Sequence, residues 1–160
     1  MRSAWSGFLA DEAATLQLGA RMAACLPARS PFVVHLQGDL GTGKTTLTRG
    51  ILRALGEQGA VRSPTYGLIA EYETPRGRVV HLDLYRLRTA EELAALGLGD
   101  YLADSLLWLI EWPDQARGAR LPQADVRVLI EVQGAGRRLE VQQKSEAGRH
   151  WLDCLGPDCV

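Results

Sequence analysis

Three consecutive features predict an α/β fold. Phe32-Val33-Val34-His35-Leu36 is an apolar run of strand length, Gly38-Asp39-Leu40-Gly41-Thr42-Gly43-Lys44-Thr45 is rich in glycine, and Thr46 to Leu55 carries apolar residues at helical spacing. The middle stretch has the form of a glycine, four residues, then Gly-Lys-Thr, the pattern of a phosphate-binding loop, which needs a strand before it and a helix after it. The fold class is therefore α/β, a single P-loop NTPase domain over residues 1–160.

In such a loop the glycines let backbone N–H groups turn inward on phosphate oxygens, while the following helix points its positive end at the same charge. Lys44 is placed to reach the β- and γ-phosphates and Thr45 to set its hydroxyl on Mg²⁺. The whole run Gly38 to Thr46 is the expected binding stretch. Basic charge in this chain is carried almost wholly by arginine, with Lys44 and Lys144 the only lysines. A compact ammonium fits between phosphate oxygens where a planar guanidinium does not, which gives a lysine at position 44 a physical reason.

Composition bounds the rest. Apolar residues make up 46% and charged residues 23% of the 160 positions, enough to bury a core without metal or disulfide staples. A formal net charge of -1 argues against a broad electrostatic grip on nucleic acid. Cys25, Cys154 and Cys159 are an odd number without metal spacing, so free thiols in a reducing compartment are expected. No run approaches a membrane span and no basic-then-apolar leader opens the chain, which predicts a cytoplasmic protein.

Taken in order, Arg2 to Leu9 reads as a short edge strand. Asp11 begins a helix with Glu12 in its first turn, where negative charge suits the dipole. Leu16, Leu18, Met22 and Leu26 supply its buried side and Pro27 stops it. After the phosphate loop and its helix, Gly59 to Pro64 is a loop. Ser63-Pro64-Thr65-Tyr66 precedes a strand, Leu68 to Tyr72, which a Pro75-Arg76-Gly77 turn joins to a second, Arg78 to Leu84, as a hairpin. Thr65 is placed to sense γ-phosphate or Mg²⁺, as switch loops do, and Ser-Pro-Thr also initiates a turn by itself; spacing does not separate the two.

Val79-Val80-His81-Leu82-Asp83 is an apolar run ending in a carboxylate, the form a Mg²⁺-organising strand takes at the carboxyl edge of a sheet. His81 shares the face of Asp83 by the two-residue period, although a lone strand histidine is more often a hydrogen-bonded packing residue. Arg86 meets phosphate or pairs with Glu91 or Glu92. Thr89 to Glu92 has the form of a capping box, and a break at Gly97-Leu98-Gly99 precedes a short segment, Asp100 to Ala103. Leu106 to Glu111 is a second apolar strand closed by an acid, with Pro113 ending its pairing. Glu111 is a candidate to orient water or to hold Mg²⁺ through water, Trp112 to cover the base or a partner surface, and Trp108 to fill the core. Val126 to Val132 and Arg137 to Gln142 form an antiparallel pair around Gly134-Ala135-Gly136. Residues 145–160 read as an uninformative tail.

Gly38 to Thr46, Ser63-Pro64-Thr65-Tyr66, His81-Leu82-Asp83-Leu84-Tyr85-Arg86 and Ile110-Glu111-Trp112-Pro113 together resemble, in this order, the motifs of the bacterial TsaE family, also called YjeE. The resemblance spans roughly residues 10 to 140. It implies a three-layer phosphate-loop fold with a mixed parallel and antiparallel central sheet. It also implies an ATPase that supports threonylcarbamoyl modification of tRNA adenosine with the TsaB and TsaD proteins, resetting that complex between turnovers and meeting tRNA only through it. On this resemblance ATP and Mg²⁺ are the cofactors, Lys44 and Thr45 take the phosphate and metal roles, Thr65 belongs to a first switch-like loop and Asp83 to a second, and Glu111 with Trp112 occupies the Glu-Trp motif. Thr42 departs from the Ala or Ser more usual there, which a side chain directed away from phosphate tolerates.

The chain contains no asparagine, so an Asn-Lys-x-Asp guanine-reading motif cannot form, and its one Asp-x-x-Gly, Asp153 to Gly156, lies in the tail. A small-molecule kinase needs a lid and an acceptor pocket for which the segments after the loop leave little room. A non-hydrolysing adaptor that opens or closes a partner interface on binding ATP would carry the same site.

Overall fold

The computed structural model describes residues 3–28, 31–64, 66–116 and 118–157. In chain order the elements are β1 (Ala4–Leu9), α1 (Glu12–Ala24), β2 (Phe32–Gln37), α2 (Lys44–Leu55), β3 (Ile69–Thr74), β4 (Gly77–Asp83), α3 (Ala90–Ala94), α4 (Gly99–Leu102), β5 (Ser105–Glu111), a 3-10 turn (Pro113–Ala116), β6 (Val126–Gln133), β7 (Gly136–Gln143) and α5 (Glu146–Leu155). The seven strands form one sheet in the order β1-β7-β6-β2-β5-β4-β3. Strands β6, β2, β5 and β4 are parallel; β3 on one edge and β7 on the other run against them, and the outermost strand β1 pairs antiparallel with β7, so the sheet is mixed.

Local chemistry sets the helix ends. The carboxylate of Asp11 accepts the Ala14 N–H at 2.9 Å at the start of α1, and the Thr89 hydroxyl accepts the Glu92 N–H at 3.1 Å at the start of α3. Helix α2 stops at Gly56, which takes the left-handed conformation at φ 104°. Leu68, expected to open β3, instead has φ 63°, and its N–H bonds to the Pro64 carbonyl at 2.8 Å, so the strand begins one residue later.

The sheet has a core on each face. One gathers Leu36, Leu109 and Val128 beneath α1, α2 and α5; the other packs Val80, Leu82, Trp108 and Ile110 against Leu87, Leu93 and Leu98. Trp108 is buried there and its indole N–H donates to the Ser105 hydroxyl at 2.6 Å. Helices α1 and α2 cross in close contact because Gly19 and Gly50 lack side chains. A Cβ at Gly50 would lie 2.6 Å from the Leu16 carbonyl oxygen.

Two further expectations are corrected. The tail forms α5, capped by Ser145, whose hydroxyl accepts the Gly148 N–H at 3.0 Å. Trp151 from this helix packs on Phe32 with ring centroids 5.7 Å apart and donates to the Met22 carbonyl at 3.1 Å. The thiols of Cys25 and Cys154 are not free but joined in a disulfide between the end of α1 and α5, 129 residues apart in sequence. Helix α5 packs over the same sheet face as α1, which brings the two cysteines together; no spacing within the chain signals it. Cys159 lies outside the described residues. Among the described residues no helix is long and apolar enough to cross a membrane.

Candidate functional site

Strand β2 lies between β5 and β6, and the loop at its carboxyl end, residues 38–43, leads into the N-terminus of α2. Two glycines there have no substitute. Gly38, at φ 149°, would drive a Cβ to 2.4 Å from the Ile130 carbonyl oxygen, and Gly43 caps α2 in the left-handed conformation at φ 107°. Hydrogen bonds from three side chains tie the carbonyls of the loop. Lys44 Nζ donates to Gly38 O at 2.7 Å and to Asp39 O at 2.9 Å, and the Thr42 hydroxyl donates to Asp39 O at 2.9 Å. Arg137, reaching over from β7, donates from Nε to Thr42 O at 3.0 Å and from Nη2 to Gly41 O at 3.3 Å.

A cavity of about 300 Å³ opens beside this loop, lined by Leu40, Gly41, Gly43, Lys44, Thr45 and Thr46 on one side and by Ser63, Asp83, Tyr85, Glu111 and Trp112 on the other. Asp83 and Glu111 are paired in register at the carboxyl ends of the parallel strands β4 and β5. Both are buried, with 4% and 3% of their surface exposed. The two acids are held differently. Asp83 accepts the Ser63 hydroxyl on Oδ2 and the Tyr85 N–H, at 3.0 Å, on Oδ1. Glu111 Oε1 lies 3.1 Å from His81 Nε2.

Lys44 is itself buried, and burial pushes its ammonium below the ordinary lysine range while the charges of Glu111, Asp83 and Asp39 act to hold it up. Its Nζ also stands 4.8 Å from the Trp112 ring centroid. Trp112 keeps φ at 55°, a conformation unusual for a bulky residue, with its N–H on the Leu36 carbonyl at 3.2 Å and its ring 5.0 Å from that of Tyr85. The backbone at the end of β5 is thus turned so that the indole comes over the lysine.

The expected residues are distributed as follows. Leu40, Gly41, Gly43, Lys44, Thr45, Thr46, Asp83, Glu111 and Trp112 line the one cavity. Gly38 and Asp39 line a separate hollow with Gln37, Trp112 and Pro113, and Thr42 faces another of about 220 Å³ that includes Asp11, Thr15 and Arg137. Thr65 lies outside the described residues. Arg86 stands 4.7 Å over the Tyr66 ring instead of pairing with Glu91 or Glu92. Sequence reasoning missed Arg137, Ser63 and Tyr85 as members of the site. Ser63 and Tyr85 stand inside two of the family-like motifs, whereas nothing in sequence marks an arginine 95 residues downstream of Thr42 as a partner of its carbonyl.

Among the described residues no three His, Cys, Asp or Glu side chains gather as a metal cage. The hydroxyl of Thr45 and the carboxylates of Asp83 and Glu111 instead line the same cavity as Lys44, an all-oxygen donor set of the kind that fits Mg²⁺.

The family model of the threonylcarbamoyl adenosine biosynthesis protein TsaE matches residues 9–140. A tRNA threonylcarbamoyladenosine biosynthesis protein TsaE from Haemophilus influenzae is 40% identical over 151 residues, covering 92% of this chain and 95% of the relative. The protein of the same description from Bacillus subtilis is 34% identical over 79% of this chain and 78% of its own. The crystal structure of Bacillus subtilis YdiB matches with a TM-score of 0.78 at 24% identity, over 97% of this chain and 95% of that one, a likeness that speaks for the fold. A strand, glycine-rich loop and helix seated on a mixed sheet define an α/β protein of the P-loop NTPase fold. The chain belongs to the TsaE family, whose members act in the biosynthesis of threonylcarbamoyladenosine in tRNA.

Proposed function

We propose that this chain binds ATP with Mg²⁺ and hydrolyses it in complex with TsaB and TsaD, the hydrolysis resetting the complex between rounds of tRNA modification. The reading is carried by one observation: Lys44, Asp83 and Glu111, from α2, β4 and β5, line a single cavity at the N-terminus of a helix that follows a glycine-rich loop. The N-terminus of α2, directly after the glycine-rich loop, supplies fixed positive charge for a triphosphate. Lys44 gives up its two carbonyl bonds to neutralise the terminal phosphates. Thr45 and Asp83 would hold Mg²⁺, which when bound offsets charge on the phosphate oxygens. Glu111 orients a water in line with the γ-phosphorus, so that the new P–O bond forms as the bond to the leaving ADP oxygen breaks. Trp112 and Tyr85 form an aromatic wall at the cavity, and Leu40, exposed on its other side, completes an apolar rim for a partner protein to cover.

The test compares ATP hydrolysis with and without TsaB–TsaD for the native protein and for Glu111→Ala. The expected result is a partner-dependent rate that Glu111→Ala abolishes while ATP binding is retained. Equal rates in all four reactions would favour an adaptor that binds ATP without hydrolysing it. Lys44→Ala is expected to weaken triphosphate binding and to remove support for tRNA modification; an unchanged affinity by titration counts against the loop as the binding site.

A further inference from the structure

His81 lies on β4 two residues before Asp83, on the sheet face that carries α2, and none of its surface is exposed. Its Nε2 lies 3.1 Å from Oε1 of the buried Glu111. Its other ring nitrogen, Nδ1, has no hydrogen-bond partner among the described residues. These observations together select one arrangement of the ring hydrogen. A carboxylate oxygen only accepts, so Nε2 must carry the hydrogen and donate it. The opposite tautomer would set two lone pairs against each other at Glu111 and bury an N–H at Nδ1 with nothing to receive it. With hydrogen on Nε2, the one unpaired atom of the ring is a bare acceptor, the smaller penalty.

The consequence falls on Glu111. Its Oε1 is held from below by the imidazole, and Oε2 takes no hydrogen bond among the described residues, although Glu111 lines the cavity. Asp83 beside it has both oxygens engaged, by Ser63 and by the Tyr85 N–H. Of the two acids, Glu111 is therefore the one with an oxygen left over, and His81 decides which oxygen that is. We propose that His81 is a positioning residue: its Nε2–H···Oε1 bond locks the Glu111 carboxylate so that Oε2 is presented to the water that attacks ATP. This rests on the hydrolytic reading above. A histidine that merely filled the core at this place would need no donor, and any side chain of similar shape would replace it.

The experiment uses the full chain with TsaB–TsaD and two variants, His81→Leu, which removes the donor, and His81→Gln, whose amide places an N–H at similar reach. Steady-state hydrolysis gives kcat and KM, calorimetric titration with a non-hydrolysable ATP analogue gives Kd, and melting confirms the fold. His81→Leu is expected to lower kcat by about 10- to 100-fold, the scale of a misplaced catalytic group. KM and Kd should stay within about twofold of native, since the affected step is chemistry and not binding. His81→Gln is expected to restore most of the rate. A native kcat in His81→Leu, or equal losses in both variants, overturns the proposal. A nitrogen NMR spectrum of the native imidazole gives an independent reading that holds even if His81→Leu does not fold: hydrogen on Nε2 supports the proposal and a bare Nε2 overturns it. If the native complex hydrolyses no faster than Glu111→Ala, the hydrolytic reading fails, and the spectrum alone decides whether His81 holds Glu111.

Discussion

Removing Arg137 should weaken triphosphate binding although the residue belongs to none of the sequence motifs. Its guanidinium donates to the carbonyls of Thr42 at 3.0 Å and Gly41 at 3.3 Å, and thereby holds a loop that is expected to bind phosphate. Hydrogen bonds from a charged donor contribute about 1.5–3 kcal/mol each. The longer of these two is solvent-exposed and counts for little, so a loss of roughly 2 kcal/mol is expected, equivalent to about 30-fold in Kd. The assay is calorimetric titration with a non-hydrolysable ATP analogue, for native protein, Arg137→Ala and Arg137→Lys, with melting temperature as the control for folding. Lysine keeps the charge but not the fork, so Arg137→Lys should recover only part of the affinity. An Arg137→Ala variant that melts like native and binds within twofold of it would refute the clamp. A fully native Arg137→Lys would assign the effect to charge at a distance, not to the two bonds.

Gly50→Ala tests the α1–α2 crossing: its Cβ would stand 2.6 Å from the Leu16 carbonyl oxygen, so overpacking of about 1–3 kcal/mol should outweigh the roughly 1 kcal/mol gained in helix propensity. A higher urea midpoint in this variant would show that the helices have room to part. His35 carries a pH signature. Burial pushes its imidazole below the ordinary value, assisted by the charge of Arg127 and opposed by its bond to the Pro122 carbonyl and by Asp114. The unfolded chain therefore takes up a proton near pH roughly 6.5 while the native protein does so only at lower pH. Stability is lost as pH falls from that value toward the native pKa. His35→Gln, which keeps a donor for Pro122, should flatten the urea midpoint against pH below about 6.5; an unchanged slope would assign it to other groups. The Cys25–Cys154 link predicts one titratable thiol out of three in unfolded, unreduced protein and three after reduction, with reduction costing about 2–4 kcal/mol of stability. Three thiols without reductant would show the pair open.

The strand, glycine loop and helix at residues 32–55, the hairpin around Arg76, the capped turn at Thr89 and the two acids closing apolar strands were all legible without coordinates. Each is a short-range pattern: an alternation, a run, a cap or a turn whose physics is complete within a few residues. The tail was not legible as α5, because a ten-residue segment with Trp151, Leu152 and Leu155 as its apolar face declares itself only when Phe32 and Met22 are there to receive it. Tertiary structure alone decided that β5 runs between β2 and β4, and so that Glu111 stands opposite Asp83 and within reach of His81. It alone brought Arg137 to the back of the phosphate loop and Cys25 to Cys154. These contacts join residues from 28 to 129 positions apart, as Asp83 with Glu111 and Cys25 with Cys154 do, and spacing along a chain carries no information about which distant elements the sheet order will make neighbours.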